Sequence, residues 1–251
     1  MNKENYDYLK DQIFYAGFGN KLHEALQSKI SRGKKEFQLH FQGVVSGQTV
    51  SAELQFSQSR KTEHYFFNSY TLELPSNSKE EPSKRKFYVN GRERFTLKEA
   101  YNLMSGRSVH KQFTNMNGEP YRAWCQLDTK EMDIQGQYRM SKFYESYGYD
   151  LEKQLERFPI REISDPDSRK QVLESLKRGN RQLVTFDLSS GPEKLYVEAL
   201  PRFKAVCIYN GEGIRQEFID DRQQVQRNSA KVQEQQRQIQ VRRSGHKPGK
   251  P

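Results

Sequence analysis

Two hydrophobic periods alternate along this chain, one near 3.6 residues and one of 2, and the changeover falls on a glycine three times. Residues 20–32 place Leu22, Ala25, Leu26 and Ile30 on one side of a predicted helix that Gly33 stops. Beyond it Phe37, Leu39 and Phe41 alternate with polar residues, residues 43–47 turn the chain, and Val50, Ala52, Leu54 and Phe56 alternate again. This is the pattern of a helix followed by a hairpin. A second such segment starts at Thr96, with Glu99 three positions on as a capping box requires, and its helix stops at Gly106. There Asn117 and Gly118 turn a hairpin whose returning strand carries Tyr121, Ala123 and Cys125 on one face. The third starts where Asp165 caps and Pro166 fills the first turn, and it stops at Gly179.

Gly33, Gly106 and Gly179 are 73 residues apart in both intervals. Each follows an apolar residue by three positions (Ile30, Leu103, Leu176) and precedes an aromatic strand residue (Phe41, Phe113, Phe186) and a turn glycine (Gly47, Gly118, Gly191). The fold class expected is α+β, with three repeated helix–β-hairpin units built on antiparallel sheets. One such unit cannot cover its own apolar faces, so the copies must stack or share a core.

Around these units lie further elements. A first amphipathic helix spans residues 6–15 with Tyr6, Leu9, Ile13 and Phe14 on its apolar stripe, broken by Gly17 and Gly19. Residues 64–74 read as a third strand, paired with 87–89 across a polar loop. Residues 137–144 form an outer strand, and Asp150 caps a short helix holding Leu151, Leu155 and Phe158. The divisions that follow are 1–92, 93–163 and 164–213, then a Gln-rich basic tail at 214–251. Phe218, Val225, Val232 and Ile239 are spaced by sevens in that tail, but the second seam is polar, so a frayed helix giving way to a disordered end is expected rather than a coiled coil.

Composition changes this picture modestly. An apolar share of 33% predicts a small core, enlarged by 12% aromatic residues. The net charge of +10 favours anionic partners. Residues 211–251 hold 9 Lys and Arg against 5 Asp and Glu, a net +4, which leaves only +6 for the rest. Cys125 and Cys207 sit in strand-like runs and read as small buried apolar residues, which suits a reducing compartment. The first 21 residues have no apolar h-region and no run approaches 18 apolar residues, so a cytoplasmic location without a membrane span is expected.

Three strings, GRSVHKQFTNMNGEPYRAWCQLD (106–128), FYESYGYDLEKQL (143–155) and SLKRGNRQLVTF (175–186), resemble an uncharacterised family encoded on conjugative transposons and other mobile elements of Bacteroidetes. The resemblance covers about residues 1–215, is clearest over 95–200, and leaves the tail aside. Related segments of that group are attached to topoisomerase-like or conjugation proteins. The resemblance implies a setting of DNA transfer and a protein partner from conjugation or DNA-processing machinery; it implies no catalytic residue.

The residues themselves offer little chemistry. His23, His40, His64, His110 and His246 are scattered, and no two Cys or His stand at chelating spacing. Gly17 and Gly19 lack the preceding strand that a dinucleotide fingerprint needs, and no P-loop or nucleophile elbow occurs. Asp165 with Asp167, and Asp220 with Asp221, read as helix starts or a solvated face. A non-enzymatic interaction protein without cofactor is therefore expected.

Direct nucleic-acid binding is the alternative. Lys84, Arg85, Lys86, Arg92 and Arg94 cluster on and after one hairpin, Arg139 and Lys142 interleave with Tyr138, Phe143 and Tyr144, and Arg242 and Arg243 lie in the tail. Cations neutralise phosphates and rings stack on bases, although lysines on an edge hairpin also serve to block sheet-to-sheet association. Trp124 points away from Ala123 and Cys125, so it either joins a second buried face or anchors a protein partner.

Overall fold

The computed structural model describes residues 2–75, 82–91, 93–132 and 138–216. Helix α1 (Lys3–Ile13) runs into one wide π turn, Phe14–Phe18, and then α2 (His23–Ser31). The first sheet follows as β1 (Glu36–Val45), β2 (Gln48–Gln58), β3 (Tyr65–Leu74) and β4 (Ser83–Tyr88), side by side in chain order. Helix α3 (Leu97–Met104) leads to a second sheet of β5 (Val109–Thr114), β6 (Pro120–Met132) and β7 (Tyr138–Tyr144). Short helices α4 (Leu151–Leu155) and α5 (Arg161–Ser164) and the longer α6 (Pro166–Lys177) precede the third sheet. Its strands are β8 (Gln182–Leu188), β9 (Gly191–Leu200), β10 (Ala205–Tyr209) and β11 (Arg215–Gln216). Every ladder is antiparallel, and the fold is mixed α+β.

The local signals act as their chemistry dictates. Thr96 Oγ1 accepts from the Glu99 backbone N–H while Glu99 returns the bond to Thr96, so two helix-start donors are satisfied at once. Asp165 caps α6 through Ser168 N at 2.9 Å, with Pro166 at the first position. Gly33, Gly106 and Gly179 follow α2, α3 and α6 with φ of 62°, 79° and 80°, the left-handed conformation that ends a helix without a Cβ penalty. Each leads into an antiparallel hairpin, and each hairpin is extended by at least one further strand.

Two cores result, and they ignore the expected divisions of the chain. The first joins Leu9, Ile13 and Phe18 to the inner face of the first sheet, to Leu97, Ala100 and Leu103 of α3, and to Val109, Phe113, Ala123 and Cys125 of the second sheet. Phe37, Phe56 and Phe67 stack within it at 5.0 and 4.9 Å. The second gathers Trp124 with Leu151, Leu155, Leu176, Val184, Phe186 and Val197. A boundary at 92/93 therefore cuts through one core, and residues 151–163, expected with the second unit, pack against the third sheet. The boundary at 213/214 falls inside that sheet, because Arg215 pairs with Tyr209. The expectation of a frayed or disordered tail over 217–251 lies outside the described residues.

Strand β6 is the wall between the cores. Successive strand residues point to opposite faces, so Cys125 enters the first core and Trp124 the second. Trp124 is 6% exposed, with the rings of His110 at 5.0 Å and Tyr149 at 5.4 Å. A covered ring is not available to another protein, which corrects its reading as a partner anchor. Both thiols are free and buried, and burial pushes the Cys125 thiol up to about 12, so it is unreactive at neutral pH.

His110 carries a pH prediction. Burial first, then Lys177 and Arg122, lowers it from 6.5 to about 4. Between those values the unfolded chain binds a proton that the folded chain refuses, so stability falls as pH drops from about 6.5 to about 4 and this contribution is flat outside that window. Urea midpoints at pH 7.5 and 4.5 should separate more in the wild type than in His110→Gln. Equal separations would remove His110 from the account.

Candidate interaction cleft

Helix α1 has two working stripes. Leu9 and Ile13 face the core, while Tyr8, Asp11, Gln12 and Tyr15, spaced i, i+3, i+4 and i+7, line the opposite side. The helix is clamped to β3 because Asn5 Nδ2 donates to the Tyr65 carbonyl at 3.0 Å and Asn5 Oδ1 accepts from Tyr65 N at 2.8 Å. The π turn then adds a residue to the helical repeat and shifts its phase. After the kink at Gly17, Phe18 reaches the core, 5.1 Å from Phe41 and 5.2 Å from Tyr70, whereas Phe14, expected on the apolar stripe, is 48% exposed. Gly17, with φ of 99°, lies close to Leu97, where a Cβ would stand 3.3 Å from the Leu97 Cβ.

This stripe forms one wall of a cleft of about 630 Å³. The facing wall is made by Val89, Gly91, Arg94, Phe95 and Thr96 and by the β5 residues Lys111 to Thr114. Tyr8 and Tyr15 are 57% and 76% exposed at its rim. Gln12 Nε2 donates to the Tyr8 hydroxyl at 2.9 Å, but Gln12 Oε1 is covered and has no hydrogen-bond partner among the described residues. Lys111 is neutralised by Glu99. Arg94 and Asp11, one of each sign, have no ion-pair partner among the described residues. The cleft thus offers aromatic surface, the cation of Arg94 and the carboxylate of Asp11.

The basic residues singled out in the sequence do not form one patch. Lys84 pairs with Glu73 across β3 and β4 at 3.0 Å. Arg85 turns to the inner face, donates to the Tyr138 carbonyl and lies 5.8 Å from the Phe87 ring centre. Lys86 stays outside, 5.6 Å from the Tyr88 ring centre. Lys142 is held by Glu93 and the Tyr121 hydroxyl, with 18% of its side chain exposed. Arg139 is exposed on β7, opposite Asp128 in the ladder. Among the described residues of the set, Arg94 alone reaches the cleft. Arg92, Arg242 and Arg243 lie outside the described residues.

The sequence reading missed the Tyr8, Asp11, Gln12 and Tyr15 stripe, although its spacing was the available signal. Among the described residues no three His, Cys, Asp or Glu side chains are grouped to hold a metal ion, and no helix is long and apolar enough to cross a membrane. Comparison of the chain with family models, curated proteins and solved structures gives no match.

Proposed function

We propose that the chain is a non-enzymatic accessory protein of a mobile genetic element, built on one helix-hairpin plan used three times, and that it binds a protein of conjugation or DNA-processing machinery through the α1 cleft. The element and the partner class rest on the family resemblance. The mode of binding rests on the cleft. The cleft is lined by aromatic and polar side chains together, as a docked peptide segment requires. Asp11 and Arg94 in one cleft suit a partner carrying both charges, and the carboxylate disfavours a phosphate chain. Exposed tyrosines at a concave site are frequent binding anchors.

Affinity capture from cells carrying the element should recover such a protein with the wild type. Tyr15→Ala with Arg94→Ala should weaken capture by about tenfold or more. Since Tyr15 is 76% exposed, the fold should tolerate its loss. Recovery of nothing above background with the wild type counts against the proposal; undiminished capture by the variant moves the contact elsewhere.

A second reading, direct nucleic-acid binding, is favoured by the outer face of β4, where Tyr88 is 61% exposed beside Lys86. It requires affinity that falls with salt, by roughly 0.9 in log-log slope for each duplex phosphate contacted. Absence of any shift on DNA and RNA removes it.

A further inference from the structure

A recess of about 420 Å³ lies where the β1–β2 turn, α3, the end of α6 and the start of β8 meet. Lys98, Arg107 and Arg181 line it together with Ser46, Asn180 and Gln182, and no carboxylate among the described residues does. Among the described residues Arg181 alone of the three is bonded to a carboxylate, donating from Nε and Nη2 to Glu198 at 3.2 and 3.1 Å, and the same carboxylate acts on Arg107 at longer range. Arg107 gives its Nε to the Gly179 carbonyl at 3.0 Å and one Nη to Asn102, both neutral acceptors. Lys98 Nζ meets the Ser46 hydroxyl and the Tyr101 ring. Three cations served by the single carboxylate of Glu198 therefore stand together in a partly desolvated hollow, an arrangement that favours a bound anion. The same crowding is felt in their protonation: burial, then Arg107, lowers Lys98, and burial lowers Arg107, where Glu198 and Tyr101 oppose it and Arg181 adds to it.

We propose that this recess binds a phosphate monoester, held by Lys98, Arg107 and Arg181, with the amides of Asn180 and Gln182 as further donors. Charge selects the monoester. The three cations and Glu198 leave a net +2, which a monoester of about −1.5 to −2 at neutral pH matches and a single diester does not. A volume of about 420 Å³ admits a small phosphorylated molecule such as a mononucleotide, or the phosphorylated end of a strand. Lys98, Arg107 and Arg181 come from the second and third units, so the hollow exists only because α3 and α6 meet. It is separate from the α1 cleft and does not depend on what binds there.

The test is calorimetric titration of the full chain with inorganic phosphate, adenosine 5′-monophosphate, adenosine, and a ten-nucleotide thymidine strand with or without a 5′-phosphate. The monophosphate should bind and adenosine should not. If strand ends are the source, the 5′-phosphorylated oligonucleotide should outcompete its unphosphorylated twin; if free nucleotides are, the two strands should not differ. Lys98→Gln should weaken phosphate binding by about tenfold, the worth of one charge-assisted hydrogen bond, and Lys98→Arg should restore it. Tyr15→Ala should leave it unchanged. No heat with any phosphate ligand, equal binding of adenosine and its monophosphate, or indifference to Lys98→Gln would each overturn the assignment.

Discussion

Alanine at Gly179 is expected to cost about 3 kcal/mol of stability, against about 1 kcal/mol for alanine at Gly33 or Gly106. The three positions share a backbone: φ is 62°, 79° and 80°, so each substitution meets the same left-handed penalty. They differ in surroundings. At Gly33 and Gly106 nothing lies within 4 Å of the added Cβ, whereas at Gly179 it would stand 2.8 Å from the Ser108 carbonyl oxygen, 2.9 Å from Val109 Cγ2 and 3.0 Å from Asn102 Cβ. One of those atoms is backbone and another begins β5, so none is the yielding end of a flexible chain. The joint is also polar. Asn102 donates to the Arg178 carbonyl at 2.7 Å and to Asn180 Oδ1 at 3.1 Å, and Arg107 to the Gly179 carbonyl, so α3 and its following loop supply caps for the last turn of α6. Urea unfolding followed by circular dichroism compares the three variants. Equal losses at all three would show that conformation alone matters and that no close packing exists at Gly179.

What the sequence disclosed and what it hid follow from range. Caps and turns are local chemistry, and Thr96 with Glu99, Asp165 with Pro166, and the glycines after α2, α3 and α6 all act where spacing placed them. Strands were legible because one face of each is covered, as the buried alternation of Phe37, Leu39 and Phe41 shows. The partition into cores was not legible, since α4 follows the second sheet in the chain but serves the third in space. Charge density misled for a related reason. Lys84, Arg85 and Lys86 are neighbours in sequence, yet strand alternation sends Arg85 inward, and Lys142 finds Glu93 49 residues away. In the cleft, a polar stripe on α1 resembles any solvated helix face until Arg94 and β5 are placed opposite it. Phe14 was misassigned because it continues α1 about 100° round the helix from Ile13, off the stripe that Leu9 and Ile13 bury. Lys98, Arg107 and Arg181 converge only through the meeting of two helices, which no periodicity encodes.

Trp124→Ala should be the most damaging single change, with a loss of about 3–5 kcal/mol. Set against the about 5–15 kcal/mol that holds a domain folded, this is a large share. The ring is the only tryptophan, it stands on the wall between the cores, and its neighbours come from three places: His110 on β5, Tyr149 ahead of α4, and Phe143 opposite it on β7. Truncation opens a hollow against the α4 side, where Leu151 and Leu155 keep, from the second sheet, the partly buried Phe143 ring, while Cys125 on the reverse face keeps its packing. The damage should therefore be directional. In double-variant cycles Trp124→Ala should be non-additive with Leu155→Ala, which shares its core, and additive with Leu54→Ala, which lies in the first. Trp124→Phe, which keeps an aromatic ring, should recover part of the loss. A cost below about 1 kcal/mol would be that of a surface residue. Trp124 would then be free to anchor a partner after all, and the second sheet would not be a wall with two packed sides.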